Sequence, residues 1–283
     1  MTELDFVHRP AAGEMGVAEA LRNQTTLERL YIRGAWFRDD EGEELGAALA
    51  QNTSLKELYL SEVYIGERGF KNIFEALKIN TTLTHLYLQH ISMGLPCAEM
   101  VADMLVSNSS LKLLILGRCR VGALGSRATA HALKKNTSLE ELFIAYDKVE
   151  NTGAFALADA LASTSSLKTL RLNGCEIVGH GALALGRAWG SNLALPLDHD
   201  VVQGVEGARL EAARVRALIL CGRDKLVAFG MAMIPRLGGG PGGETTATAT
   251  ATATTPGSES KASVFHLMDG DVFKLIGEAY GDY

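Results

Sequence analysis

Cysteine is scarce in these 283 residues: Cys97, Cys119, Cys175 and Cys221 are the full set. None stands in a CxxC or CxxH pair, which excludes the usual tetrahedral zinc site. So few are also too sparse for a disulfide scaffold. The chain lacks a charge excess of one sign. Lys and Arg number 27 against 33 Asp and Glu, a net charge of −6, without the clustered cations that a nucleic-acid or anionic-membrane surface needs. No uncharged apolar run approaches the roughly 18 residues of a membrane helix. The opening Met1-Thr-Glu-Leu-Asp-Phe has neither the basic nor the apolar region of a signal peptide. No GxxxxGK[ST] loop occurs, so no nucleotide cofactor is called for. The expectation is a cytoplasmic protein with no cofactor, no metal, and neither a nucleic-acid nor a membrane partner.

What the chain has is apolar residues, 47% of the total, and they are periodic. A leucine recurs at Leu27, Leu55, Leu83, Leu111, Leu139 and Leu167, in steps of 28 residues. Three residues on stand Leu30, Leu58, Leu86, Leu114, Leu142 and Leu170. Two further on stand Ile32, Leu60, Leu88, Leu116, Ile144 and Leu172. This LxxLxL alternates as a half-buried strand does. The second half of each unit changes period. Leu45 and Leu49, Ile73 and Leu77, Val101 and Leu105, and Leu157 and Leu161 are four apart and fall on one helix face. Each unit therefore predicts a strand, a loop and a returning helix, a repeat architecture.

These residues resemble the ribonuclease-inhibitor type of leucine-rich repeat, LxxLxLxxN/C followed by xLxxxGxxxLxxxL. The N/C position holds Ala35, Val63, Ile91, Cys119, Asp147 and Cys175, of which the two cysteines fit the signature. The resemblance implies an α/β fold, a leucine-rich-repeat solenoid or horseshoe, with a parallel concave sheet and convex helices. It also implies a kinship with NOD-like-receptor arrays and a protein partner.

The expected boundaries are an array over 1–190, a helical cap over 191–237, a Gly/Pro and Ala/Thr linker over 238–260, and a short amphipathic tail helix over 261–283. Leu4, Val7, Gly13, Val17 and Leu21 extend the pattern backwards. With no polar capping unit before them, the expectation is a shortened relative of a longer array, or a first strand covered by a partner. After Trp189 the register fails, because Asp198 and Asp200 fall on the next two core sites. In the tail, Asp269 or Asp271 could N-cap a helix carrying Val272, Leu275, Ile276 and Tyr280. Such a helix docks back on the array or binds something else, as the short ends of F-box or SOCS-box adaptors do.

Polar residues give little chemistry. His85 and His90 have no Cys or carboxylate at ligand spacing, and His131 and His180 read as solvated. Asp198-His199-Asp200 reads as a turn. Asn-x-Ser/Thr occurs at Asn23, Asn52, Asn80, Asn108 and Asn136. The last four share the repeat period just after the helix, so they are read as helix-ending asparagines in left-handed geometry. Cys119 and Cys175 stand two repeats apart, roughly 10 Å at about 4.8 Å per strand, too far to bridge. No catalytic residue is assigned.

The informative positions lie between the leucines. If the leucines point inward, alternate residues face the concave surface. The central column is Tyr31, Tyr59, Tyr87, Ile115, Phe143 and Arg171. One neighbouring column is Arg29, Glu57, His85, Leu113, Glu141, Thr169; the other is Arg33, Ser61, Gln89, Gly117, Ala145, Asn173. An apolar centre with polar borders is the anatomy of a protein interface. The expected binding residues are the central column with Glu57, His85 and Glu141. Two other classes stay open: a GTPase activator of the Ran type, whose acidic tail block is missing here, and a substrate adaptor of a ubiquitin ligase, resting on the tail.

Overall fold

The computed structural model describes residues 2–7 and 16–193, and beyond them positions 202, 203, 205, 208, 211, 212 and 215. Strands and helices alternate in chain order. The strands are β1 (Glu3–Val7), β2 (Arg29–Arg33), β3 (Glu57–Ser61), β4 (His85–Gln89), β5 (Leu113–Gly117), β6 (Glu141–Ala145), β7 (Thr169–Arg171) and β8 (Val202–Gln203). The helices are α1 (Val17–Asn23), α2 (Asp39–Gln51), α3 (Glu67–Ile79), α4 (Gly94–Ser107), α5 (Gly122–Leu133), α6 (Glu150–Leu161) and α7 (His180–Ser191).

All eight strands pair in parallel and in sequence order. The chain is a leucine-rich-repeat solenoid, with the sheet on the concave side and the helices on the convex side. Strands β2 to β6 each bury their second and fourth residues, as in β3, where Leu58 and Leu60 are buried while Glu57, Tyr59 and Ser61 are partly exposed. Burying one such leucine stabilises by about 1.5–3 kcal/mol, and every repeat contributes the same set. A single core follows, running from Val17 to Ala212.

Neighbouring helices approach closely where glycine permits it. A methyl group on Gly42 would stand 2.7 Å from the Gly69 Cα, so α2 and α3 touch backbone to backbone. Larger side chains there would force the repeats apart.

Two registers differ from the 28-residue step. β1 pairs Leu4 with Leu30 and Phe6 with Ile32, two residues short. Leu4 therefore sits in the column of Leu30 rather than that of Ile32, and Val7 pairs with Arg33. An even offset keeps alternate residues on the same face, so the sheet accepts it. At the other end β8 pairs Val202 with Leu170, four residues late. That insertion brings buried Val202 into core register. The sheet therefore runs past residue 190. Positions 208, 211, 212 and 215 are helical, and Ala208 and Ala212 are buried. Buried Glu211 accepts a hydrogen bond from the Arg187 guanidinium at 2.9 Å. The Asp198-His199-Asp200 turn, the linker and the tail helix lie outside the described residues.

Candidate functional site: the concave face and its rim

The parallel register aligns the central column across the sheet: Tyr31, Tyr59, Tyr87, Ile115, Phe143 and Arg171 are direct partners strand to strand. Parallel strands lie about 4.8 Å apart, close to the thickness of a stacked ring. The tyrosines use this. Tyr31 and Tyr59 rings are 4.2 Å apart and 15° from parallel, and Tyr59 and Tyr87 rings are 3.9 Å apart and 11° from parallel. Further along, the Arg171 guanidinium lies over the Phe143 ring at 4.3 Å. Ile115 is the one non-planar member and separates the two stacks. The rings cover each other's faces, so the tyrosines, Ile115 and Phe143 are partly buried, while Arg171 is exposed. The solvent-facing part of the column is ring edges and hydroxyls.

The bordering columns add polar contacts. The Tyr59 hydroxyl donates to Glu57 Oε2 at 2.6 Å. Burial, this hydrogen bond and the neighbouring Tyr87 push the Tyr59 phenol well above its ordinary pKa. His85 Nδ1 is 2.8 Å from the Thr84 hydroxyl, and its ring stands 6.4 Å from that of Tyr87. Glu141 lies partly exposed beside Phe143 in the next column. At the first strand, Arg29 pairs with Glu3 at 3.5 Å and Arg33 with Asp5 at 3.6 Å. Exposed pairs of this kind contribute little stability, and here they hold two cations beside Tyr31. Among the described residues no group of three His, Cys, Asp or Glu side chains could hold a metal ion. None of their helices is long and apolar enough to cross a membrane.

A second ladder runs along the other end of the strands, and it corrects the reading of the asparagines. Asn52, Asn80 and Asn108 end their helices with φ near −70° and extended ψ, not in left-handed geometry. Their side chains explain why. The Asn136 amide donates to the Leu105 carbonyl at 2.7 Å and the Asn108 carbonyl at 3.0 Å, while its Oδ1 accepts from the Ser138 and Leu139 amides. Asn80 and Asn108 repeat this pattern, and Asn192 repeats the donated pair. Each asparagine thus satisfies the last carbonyls of the preceding helix and starts its own strand. Thr164 occupies the same position and breaks the ladder, leaving its buried hydroxyl without a partner.

The N/C position does related work on the strand's far side. Cys119 Sγ donates to the Leu88 carbonyl at 3.1 Å and Cys175 Sγ to the Ile144 carbonyl at 3.0 Å. Both thiols are free, and burial pushes them up to about 12 and about 11. Asp147 instead accepts, taking the Cys119 amide at 3.0 Å. Burial raises its carboxyl above the ordinary range, against the opposing pull of amides at Cys119, Arg120 and Val121.

Sequence reasoning missed the rim where strands pass into loops. One position on the strand-to-loop rim is left-handed in six successive repeats: Gly34, Glu62, His90, Arg118, Tyr146 and Gly174 have φ between 53° and 67°. Glycine accepts this freely, whereas a side chain costs roughly 1–2 kcal/mol. Arg120 is left-handed too, with φ 55°. Nearby, Trp36 and Tyr64 are 67% and 55% exposed and stack at 4.1 Å. The Arg118 guanidinium lies 5.0 Å from the Tyr146 ring centroid. On the convex side, a shallow open groove among α4, α5 and α6 is lined by Val106, Leu124, His131, Lys134 and Asp159. It has no aromatic wall.

No known protein family and no curated protein matches the chain. Among solved structures, the second actin-binding site of leiomodin-1 is similar at 18% identity, over 62% of this chain and 86% of that one, with a TM-score of 0.37. The C-terminal domain of tropomodulin from Caenorhabditis elegans is similar at 14% identity, over 67% of this chain and 96% of that one, with a TM-score of 0.39. Likenesses this distant carry no argument about a partner.

Proposed function

We propose that this chain is a protein-binding module of the ribonuclease-inhibitor type that seats a partner on its concave face. The observation that carries the reading is the central column. Six neighbouring strands present Tyr31, Tyr59, Tyr87, Ile115, Phe143 and Arg171 in one row. Stacked rings are rigid, so a partner ordering itself on them loses little side-chain freedom on this side. Aromatic and Arg side chains are also the residues that most often dominate binding energy. Glu57, His85 and Glu141 border the row and supply direction through charge and hydrogen bonding. The thiol-to-carbonyl bonds of Cys119 and Cys175 favour the ribonuclease-inhibitor assignment. A cytoplasmic, non-enzymatic role belongs to the same reading.

The test is affinity purification from the native cell with the wild-type chain and with a Tyr59→Ser, Tyr87→Ser variant. Loss of a specific partner, with the variant still folded by circular dichroism, is the expected result. Unchanged capture by a folded variant overturns the assignment.

A further inference from the structure

The rim carries side chains that the fold does not need. Its left-handed positions are met by glycine in the first and last of six repeats, Gly34 and Gly174, yet Arg118 and Tyr146 stand there in between. Arg120 is left-handed as well. All three are exposed. Arg118 lies over the Tyr146 ring, which itself packs against Gly174, and none of the three contributes to the core. Arg118, Arg120 and Lys148 lie in adjacent repeats, and among the described residues no carboxylate comes within ion-pairing distance of them. Glu150 stands two residues after Lys148, and Glu176 one repeat after it. Three and two repeats before Arg120, the stacked and exposed Trp36 and Tyr64 complete the strip, with exposed Ser92 as a low step between.

The strip therefore offers an aromatic platform and then a cationic cluster along one straight line. From Tyr64 to Lys148 is three repeats, about 14 Å at the spacing of parallel strands. An extended chain advances about 3.3 Å per residue, so an aromatic residue and an acidic one four positions later would reach both ends together.

This chain contains that pattern, in the residues ahead of the tail helix that Asp269 or Asp271 would cap. In Val264-Phe265-His266-Leu267-Met268-Asp269-Gly270-Asp271, Phe265 and Asp269 are four apart, with Asp271 following. Residues 264–283 hold Asp269, Asp271, Glu278 and Asp282 against a single Lys274, opposite in sign to the cluster. Residues 238–260, whose composition is that of a linker, would as a coil span on the order of 25–30 Å, longer than the strip. A tethered segment is present at an effective concentration in the millimolar range, so modest complementarity is enough to hold it. We propose that the rim is the docking surface for the chain's own C-terminal segment, with Phe265 against Trp36 and Tyr64 and Asp269 and Asp271 on Arg118, Arg120 and Lys148. This surface is distinct from the concave column, and the proposal does not depend on a partner there.

The test is zero-length carbodiimide cross-linking of the full chain at low concentration, with the linked peptides identified by mass spectrometry. The expected product is a cross-linked monomer joining Lys148 to Asp269 or Asp271. Arg118→Glu with Arg120→Glu should lower its yield several-fold, each exposed charge contact being worth a factor of about two or three. An Arg118→Gly, Arg120→Gly variant guards against misfolding: it should melt at or above the wild-type temperature and still lose the link. Links from Lys148 only to Glu150 or Glu176, links only between two chains, or a yield unchanged in the glycine variant would overturn the proposal.

Discussion

The rings of Tyr59 and Tyr87 lie 3.9 Å apart and 11° from parallel, on partner residues of adjacent parallel strands. Tyr59 also stacks on Tyr31, so it is covered on both faces. An aromatic pair is worth about 0.5–1.5 kcal/mol beyond area burial. Tyr59→Leu should therefore destabilise about twice as much as Tyr31→Leu, read from urea midpoints at constant slope. Equal costs would mean that the stack adds nothing beyond burial.

The same stack affects titration. With its phenol held up by burial, by Glu57 and by Tyr87, Tyr59 should stay protonated as long as the alkaline protein stays folded. A spectrophotometric titration of Tyr59→Phe should therefore lose no phenolate amplitude before unfolding, whereas a smaller amplitude than wild type in the folded range would show that the phenol is not held up.

Thr164 is a repairable fault. The four-bond asparagine pattern at Asn80, Asn108 and Asn136 is missing where Thr164 leaves a buried hydroxyl unpaired. Thr164→Asn should raise stability by about 1 kcal/mol, the net worth of a recovered hydrogen bond. The converse, Asn108→Thr, should cost about 2 kcal/mol, because carbonyls that had donors are left buried and bare. Thermal melts of the two variants check both signs.

Asp147 makes a pH-dependent contribution of defined sign. Its folded carboxyl is raised above its ordinary 3.8, first by burial, so folding favours the protonated form. Its contribution is fully present below that ordinary value and is lost as pH rises through the raised one. Asp147→Asn keeps an oxygen for the Cys119 amide and removes the charge. The stability difference, variant minus wild type, should grow as pH rises from about 4 towards neutrality. A flat difference across that range would show that the amides around Asp147 fully offset its burial.

How much of this was legible depends on which residues signal their geometry. Leu58 and Leu60, with Tyr59 between them, announce a half-buried strand, because burial alternates with the pleat. The asparagines announced a period but not its cause: Asn136 looks like a helix terminator in sequence, and only the structure shows its amide reaching carbonyls one repeat back. Arg118 and Tyr146 gave no sign of a left-handed backbone, since nothing in their chemistry prefers it. The last strand was hidden by an insertion that put Asp198 where Val202 belongs. The row Tyr31, Tyr59, Tyr87 was readable as a row. Its face-to-face stacking follows from strand spacing and ring orientation, which the sequence does not encode locally.

The central claim, that the concave column touches a partner, is tested most directly by photo-cross-linking in the native cell. A photoreactive phenylalanine analogue replaces Ile115, between the two stacks, and in a second protein replaces Leu124, exposed on the convex helix α5. The account predicts a discrete adduct with a partner protein from position 115 and none from position 124. An adduct from position 124 alone, or the same adducts from both, would contradict it.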